Sequence, residues 1–581
     1  MSATGSNLSS PKYGYDLVCA TTQRAINATM KRFLSAFNGT QFSACYVYDP
    51  QSKKTVEASL ATITSQIGGD PFTIPHGATQ ANDMVSKLYN TCKFQFAFRA
   101  KMGISSSTPV SAIPNIVILN MGNSMVSYQL FCAEFQVINL QTGYDISFSN
   151  LSQPAVKPWT FLFTVSLDFR AGEPNFFNSL PQSIQNQVKN INPNSMFSVQ
   201  QLYLDLNTAG LQTAASIEGL ERPSEAYIYL TKAFINQYWY AVNAGGKGCI
   251  LGYVIRPTTP NLRTPSIIPT DLGIEISPHL DANGKPSGNF DLYTINYLVM
   301  SRGARMPPPV PFSWNWVEAD EQADFHGVMS IRRDIFVDFL AELVNPGLAP
   351  LNYVTTCELT HDHNTYHILY YAQLTTIPIA FSKVAAPVAD ADGYTRALTL
   401  SVSRPQHDDS MQESHSTSIH GDFNYSISGD VAFKGPDIRI RLNVVLYVQF
   451  NIHELGVRWG KTDQNVVDYW INAHYQLTTT PDGRLIVVPR YDNKDNAPPF
   501  SWEGGGIVDT SGIRDYVRHF ASEVLKPRLE TAMQSYEKRI ADMLNHSHAW
   551  VFPGRSTFSF KKAAFSDQLD LMAYITYADP T

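Results

Sequence analysis

The sequence predicts an α+β protein made of two similar modules, each with long helices packed on a highly curved sheet of long antiparallel strands. Three features carry that expectation. Amphipathic helices stand at corresponding places in the two halves, one stretch alternates far past the length of an ordinary strand, and a proline run divides halves whose elements follow the same order.

The opening helix is expected over Tyr13 to Phe37. Tyr15, Val18, Thr22, Ile26, Met30, Phe33 and Phe37 recur at three- and four-residue steps, with Arg24, Asn27, Lys31 and Ser35 between them. Pro11 and Gly14 precede the run and Asn38-Gly39 follows it, where a helix start and a left-handed stop are expected. Alternation then predicts strands at Val47 to Ala61, Phe94 to Met102, Ser127 to Val137, Thr160 to Arg170 and Phe197 to Leu206. A second helix over Ser224 to Val242 and strands at Cys249 to Arg256 and Asn289 to Met300 complete the first half.

Met306-Pro307-Pro308-Pro309-Val310-Pro311 cannot join a ladder or a helix interior and reads as a stiff linker. The division is therefore a first module over 12–305, a linker over 306–318 and a second module over 319–581. The second half repeats the order: a helix from about Phe325 to Val344, strands from Tyr353 to Arg490, a helix from about Gly512 to Leu544 kinked at Pro527, and closing strands at Thr557 to Ala564 and Leu569 to Tyr577. Within it, Ile438, Ile440, Leu442, Val444, Leu446, Val448, Phe450 and Ile452 share one face of a single strand. Its length, roughly 50 Å at the usual rise, suits a long helix held against a strongly curved sheet.

Hydrophobic residues make up 44% of the 581 residues and charged residues only 16%, with Ser, Thr, Asn and Gln filling the deficit as in a strand-rich protein. A net charge of -7 leaves no basic footprint for nucleic acid. MSATGSNLSSPK lacks the apolar core of a secretory signal and no run is long enough to span a membrane, so a cytoplasmic location is expected. Cys19, Cys45, Cys92, Cys132, Cys249 and Cys357 stand singly and read as reduced thiols.

The stretches YGYDLVCATTQRAINATM (Tyr13 to Met30), FSVQQLYLDLNTA (Phe197 to Ala209) and VFPGRSTFSFKKAAFSDQLDLMAYITY (Val551 to Tyr577) resemble the OrfX-type proteins encoded beside clostridial neurotoxin genes. Those belong to the tubular lipid-binding (TULIP) superfamily, which also holds the bactericidal/permeability-increasing protein. The resemblance implies two TULIP-like modules with an apolar tunnel between helix and sheet, and lipid or phosphoinositide as ligand. It carries no settled site residue across.

Catalytic signatures are missing from the sequence: it has no G-x-S-x-G elbow, phosphate loop, Rossmann triplet or H-E-x-x-H. Gly245-Gly246-Lys247-Gly248 follows a helix instead of opening one, which argues against a phosphate cradle. His361, His363 and His367 would share a face on one strand and could hold zinc, whereas Asp362, Asn364 and Thr365 favour a solvated hairpin; the hairpin is preferred and no metal is assigned. His407, His415 and His420 fall in a polar stretch read as a mobile loop. The pairs Lys31-Arg32, Lys53-Lys54, Arg332-Arg333 and Lys561-Lys562 could meet an anionic surface if the fold gathers them, and Trp314, Trp316 and Trp502 are read as packing.

The function expected is binding, and transfer, of a lipid or other hydrophobic small molecule, without cofactor and without an assigned catalytic residue. Cys19, Thr22, Ile26, Met30, Phe33, Met329 and Phe336 are the expected lining, since small or pliable side chains leave room for an apolar guest. Contact with a membrane surface and with a protein partner fits the same reading. The alternatives are a non-hydrolytic enzyme acting on a polyketide- or isoprenoid-like intermediate in the same tunnel, and a structural component of a toxin-type assembly.

Overall fold

A six-stranded antiparallel sheet gathers strands from the two ends and the middle of the chain, in the order Asp271–Ser277, Thr294–Met300, Leu17–Thr22, Gly327–Ile331, Leu571–Tyr577 and Phe558–Phe565. The computed structural model describes residues 2–36, 41–105, 107–109, 113–119, 125–154, 158–171, 197–213, 250–257, 270–362, 365–412, 417–454, 457–480, 485–499, 501, 503–504, 508–509, 516, 519–531, 540, 550–551 and 558–577. The sheet has an internal symmetry. Leu17–Thr22 and Gly327–Ile331 pair at its middle, each runs directly into a helix (Gln23–Ala36 and Arg333–Val344), and each is flanked on its outer side by a hairpin from its own half of the chain. Each half of the chain thus supplies three strands to one shared sheet, where a separate sheet in each half was expected, with Cys19 opposite Met329 across the central pair.

This arrangement corrects two helix boundaries. Tyr13 to Phe37 is not one helix: Leu17–Thr22 is a strand and only Gln23–Ala36 is helical. Likewise Phe325 to Val344 begins as the strand Gly327–Ile331 before the helix Arg333–Val344. The reason is burial on both faces. Every residue of Leu17–Thr22 and of Gly327–Ile331 is buried, so neither strand alternates, and an apolar run without alternation merges with the helical stripe that follows it. Gly327 marks how closely these strands meet, because a Cβ there would lie 2.1 Å from the Ala20 carbonyl oxygen.

The remaining sheets flank this centre. In the first half, Lys54–Ala58, Gln41–Asp49, Phe94–Met102, Cys132–Thr142, Ile146–Ser152 and Ala78–Thr79 form one sheet. A second contains Ile250–Pro257, Phe197–Thr213, Phe161–Ala171, Met125–Leu130 and Val117–Leu119. The strand expected over Ser127 to Val137 breaks at Phe131 and sends its two parts to these different sheets. Two short helices, Leu60–Ile67 and Asp83–Asn90, were not foreseen; Ser59 and Asn82 cap them through side-chain oxygens.

In the second half, Thr395–Gln412, Thr417–Lys434, Asp437–Glu454 and Val457–Thr479 run 18, 18, 18 and 23 residues and pair in succession. The long strand predicted at Asp437 is there, and all eight of its alternating apolar side chains are buried. The polar stretch around His407 and His420, expected as a loop, continues this ladder as the ends of two paired strands. A polar alternation on a solvated face is still an alternation. Phe520–Leu525 forms a π-helical turn just ahead of Pro527, which supplies no N–H to an α-helical ladder. The helix expected over Ser224 to Val242 lies outside the described residues.

The proline segment is pinned, not free. Tyr15 Oη donates to the Pro308 carbonyl at 3.0 Å, Val310 N–H donates to Tyr15 Oη at 3.0 Å, and Met306 N–H donates to Asp271 at 2.9 Å.

Candidate functional site

The two faces of the central sheet meet different surroundings. Val18, Ala20, Leu298 and Val328 face a compact cluster with Tyr13, Tyr15, Phe312, Trp314 and Trp316, contributed by the N-terminal segment and the chain just after the prolines. Trp314 and Trp316 are therefore packing residues, 5.4 Å apart edge to face. Leu17, Cys19, Tyr297, Val299, Met329 and Ile331 face the opposite way, into a much larger interior. That interior is continuous. It takes in Ile26, Met30 and Leu34 of the first helix, Ile335, Phe336, Phe339 and Leu340 of the second, and the apolar faces of the flanking sheets, including the whole Ile438 to Ile452 stripe.

Among the residues expected to line a site, Cys19, Ile26, Met30, Met329 and Phe336 all belong to this interior. Thr22 is also buried, but its hydroxyl is occupied: it accepts from Ala25 N–H at 3.3 Å, capping the first helix, and donates to the His326 carbonyl at 3.0 Å. The side chain of Phe33 lies outside the described residues. Burial pushes the Cys19 and Cys132 thiols up, so neither is a nucleophile at neutral pH.

Polar side chains secure the rim of this interior. Asn27 Nδ2 donates to the Val117 carbonyl at 2.7 Å while its Oδ1 accepts from Ile116 and Val117 N–H, and Gln23 Oε1 accepts from Leu119 N–H at 2.7 Å. Two buried amides thus complete the edge strand Val117–Leu119. At one end of the central sheet, three strands begin with Asp-Leu. Asp16 accepts from Ser301 N–H at 2.8 Å and pairs with Arg332 at 2.8 Å. Asp271 holds Met306 N–H, and Asp570 accepts from Leu8 N–H at 2.6 Å and Arg333 N–H at 2.9 Å. Burial pushes Asp570 up to about 6 against the pull of those donors. Glu275, 5% exposed, accepts from Asn296 Nδ2 at 2.6 Å and Ser277 Oγ at 2.7 Å, and burial pushes it up to about 7. The sequence reading did not single out these carboxyls; the repeated Asp-Leu at strand starts was the available signal for Asp16, Asp271 and Asp570, and Glu275 in mid-strand had none.

The histidine candidates resolve differently. Tyr353–Asp362 and Thr365–Leu374 form a hairpin in which His361 opposes Tyr366 and His367 opposes Thr360, so His361 and His367 lie on opposite faces. His407 Nδ1 sits 2.6 Å from Asp422 Oδ1, and the His420 and His453 rings are 6.2 Å apart. Among the described residues no group of His, Cys, Asp or Glu is placed to hold a metal ion. His363, His415, Trp502 and Gly245 to Gly248 lie outside them. Of the basic pairs, Arg332 is spent on Asp16 and the Gly14 carbonyl, and Lys562 lies over the Tyr574 ring. A separate polar cleft of about 310 Å³ opens beside Arg99, Lys101, Glu134, Gln136 and Gln153, with Arg99 already paired to Asp70 at 2.9 Å. No described helix is long and apolar enough to cross a membrane.

The fold and its interior define a large, mainly antiparallel β protein whose two halves share a central sheet and one apolar core. No family model and no curated protein matches the chain. Solved structures similar to it include P47 of Clostridium botulinum E1, at 10% identity over 97% of this chain and 100% of that chain with a TM-score of 0.41. P47 from Clostridium botulinum A2 follows at 12% identity, 97% of each chain and a TM-score of 0.38, and a lipopolysaccharide binding protein at 9% identity, 97% of this chain, 99% of that chain and 0.26. The P47 proteins are of the toxin-cluster kind that the sequence resembles, and all three have the tubular lipid-binding type of fold. The TM-scores are low, so the functional reading rests on this chain's own residues.

Proposed function

We propose that the chain is a cytoplasmic carrier that binds a hydrophobic ligand, of the fatty acid, phospholipid, isoprenoid or polyketide class, between its helices and curved sheets and transfers it at membrane surfaces. Two tubular modules, over 12–305 and 319–581 and joined through 306–318, would share the task. The observation that carries this reading is the single apolar interior reaching from the first helix through the central sheet to the long strands. Cys19, Ile26, Met30, Met329 and Phe336 border the proposed tunnel, Phe33 is assigned to it from its helical position, and Thr22 holds the helix beside it. Affinity would come from apolar area at roughly 25 cal/mol per Å² with few polar contacts. Met30 and Met329 suit such a guest because an unbranched thioether repacks at little cost.

Native mass spectrometry of the purified protein, compared with its organic extract, tests the proposal. The expected result is a lipid adduct that the extract identifies, together with transfer of a fluorescent lipid between vesicles. A ligand-free mass with no transfer overturns it.

A further inference from the structure

The basic pair Lys53-Lys54 meets a third cation in the fold. The strand Gln41–Asp49 turns into Lys54–Ala58, with Lys54 across from Asp49 and Thr55 across from Tyr48. On the other side of Gln41–Asp49, Tyr48 N–H donates to the Lys93 carbonyl at 2.8 Å. Lys54 and Lys93 thus flank the end of one strand, about 10 Å apart at the usual strand spacing. Lys53, Lys54 and Lys93 are all exposed, and none forms an ion pair among the described residues.

The neighbouring carboxylates leave this positive charge in excess. Asp49 is tied into the turn, where it accepts from Gln51 N–H at 3.0 Å and Ser52 N–H at 3.2 Å. Asp83 pairs with Lys87 at 2.6 Å on the adjacent helix. Glu57 stands across from Tyr46, three residues further along its strand than Lys54. Lys53 and Lys93 also hold left-handed backbone, at φ 52 and 51, a conformation that glycine adopts at less cost. Since the backbone at both positions favours glycine, what the lysines add is their charge. Two tyrosines complete the corner: Tyr48 and Tyr89 are 40% and 37% exposed, and the Lys93 ammonium lies 6.0 Å from the Tyr89 ring centre.

We propose that this corner docks the chain on an anionic phospholipid bilayer, with the three lysines over the headgroups and Tyr48 and Tyr89 at the interface. Lysine presents a mobile point charge that suits a diffuse anionic surface, whereas a discrete carboxylate or phosphate is gripped better by the fork of arginine, and none of the three cations is an arginine. Tyrosine has the apolar body and polar tip of an interfacial residue. The chain as a whole carries a net charge of -7, so an anionic surface repels most of it and the basic corner sets the direction of approach. This docking rests on the reading that the chain works at membrane surfaces, and it needs no guest in the apolar interior.

The test is flotation of the full chain with vesicles of phosphatidylcholine alone and of phosphatidylcholine mixed with phosphatidylglycerol, at low and high salt, beside immobilised polyglutamate. The expected result is capture on the mixed vesicles only, weakened by salt. Each lysine near an anionic surface is worth about fivefold, so Lys53→Gly with Lys93→Gly should weaken capture by roughly tenfold or more. The same double variant should melt no lower than wild type, which a structural role for the lysines would not allow. Lys285→Gln, which removes the same charge from another exposed turn, should change nothing. If the glycine variant does not fold, Lys53→Gln with Lys93→Gln takes its place. The proposal is overturned by a folded wild type that ignores the mixed vesicles, by equal capture on phosphatidylcholine alone, or by a folded double variant that binds like wild type. Capture by polyglutamate without capture by vesicles overturns it in favour of an acidic protein partner. A lipid adduct in native mass spectrometry from a chain that fails these tests would leave the carrier reading standing and remove only the docking corner.

Discussion

The two strand–helix units at the heart of the molecule share a topology and differ in how each helix is held. After Leu17–Thr22, the helix Gln23–Ala36 uses buried amides: Gln23 and Asn27 bond the backbone of Val117–Leu119, and Thr22 caps the first turn. After Gly327–Ile331, the helix Arg333–Val344 buries Ile335, Phe336, Val337, Phe339, Leu340, Leu343 and Val344, and Asp570 from the closing hairpin accepts its first free N–H. The first helix is bonded by buried amides to the backbone of a neighbouring strand, whereas the second packs along its length and is bonded at its start by Asp570 and on its outer side through Asp338 to Arg302 and Lys383. Met30 lies on the inner face of the first helix, and the ligand proposed above would sit beside that helix.

The contrast breaks most clearly at Phe336. Phe336→Ala should lower stability by about 3–5 kcal/mol, read as a shifted midpoint in urea, because its ring packs against both Phe433 and Phe565. Asn27→Leu keeps the volume but strands the Val117 carbonyl and the Ile116 and Val117 N–H groups, at about 2–4 kcal/mol. Its signature is local: hydrogen exchange should rise over Val117–Leu119 and stay unchanged over Arg333–Val344. Equal effects of Asn27→Leu on both segments would remove the distinction between the helices.

Glu275→Gln adds a pH dependence. The Glu275 carboxyl is pushed up from its ordinary 4.5 to about 7 by burial, so the folded chain holds that proton more tightly than the unfolded chain does. The stability it contributes is full below about pH 4.5 and is lost as pH rises through about 7. Asn296 Oδ1 and Glu275 Oε1 have no hydrogen-bond partner among the described residues, and Asn296 stands directly across the strand pair from Glu275, which suits a neutral acid whose proton an amide oxygen could accept. Wild type should therefore lose about 2–3 kcal/mol relative to Glu275→Gln between pH 5 and about 8. Parallel melting temperatures across that range would refute the neutral acid. The smallest effect belongs to the cap: Thr22→Val should cost about 1 kcal/mol by thermal melting, and no loss would show that the Thr22 hydroxyl is dispensable.

Much of this architecture was legible in the residues because alternation is a local signal. The Ile438 to Ile452 stripe announced a long strand, whereas the sheet that the two halves share was not foreseen, because its strands pair across more than 300 residues. Leu17–Thr22 and Gly327–Ile331 were hidden because a strand buried on both faces has no alternation to read. The amides and carboxyls at the rim were hidden for a different reason: Asn27 acts on Val117, 90 residues away, and Asp570 on Leu8, 562 residues away. Such pairings exist only once the chain has folded.

The central claim is that the interior beside the first helix holds a guest instead of merely filling a core, and Met30→Asp addresses it directly. Native mass spectrometry of wild type and variant, with circular dichroism on the same samples, is the measurement. The account predicts a lipid adduct on wild type and a folded variant without one. A wild type free of lipid, with a variant that unfolds, would contradict it and leave the stripe as core.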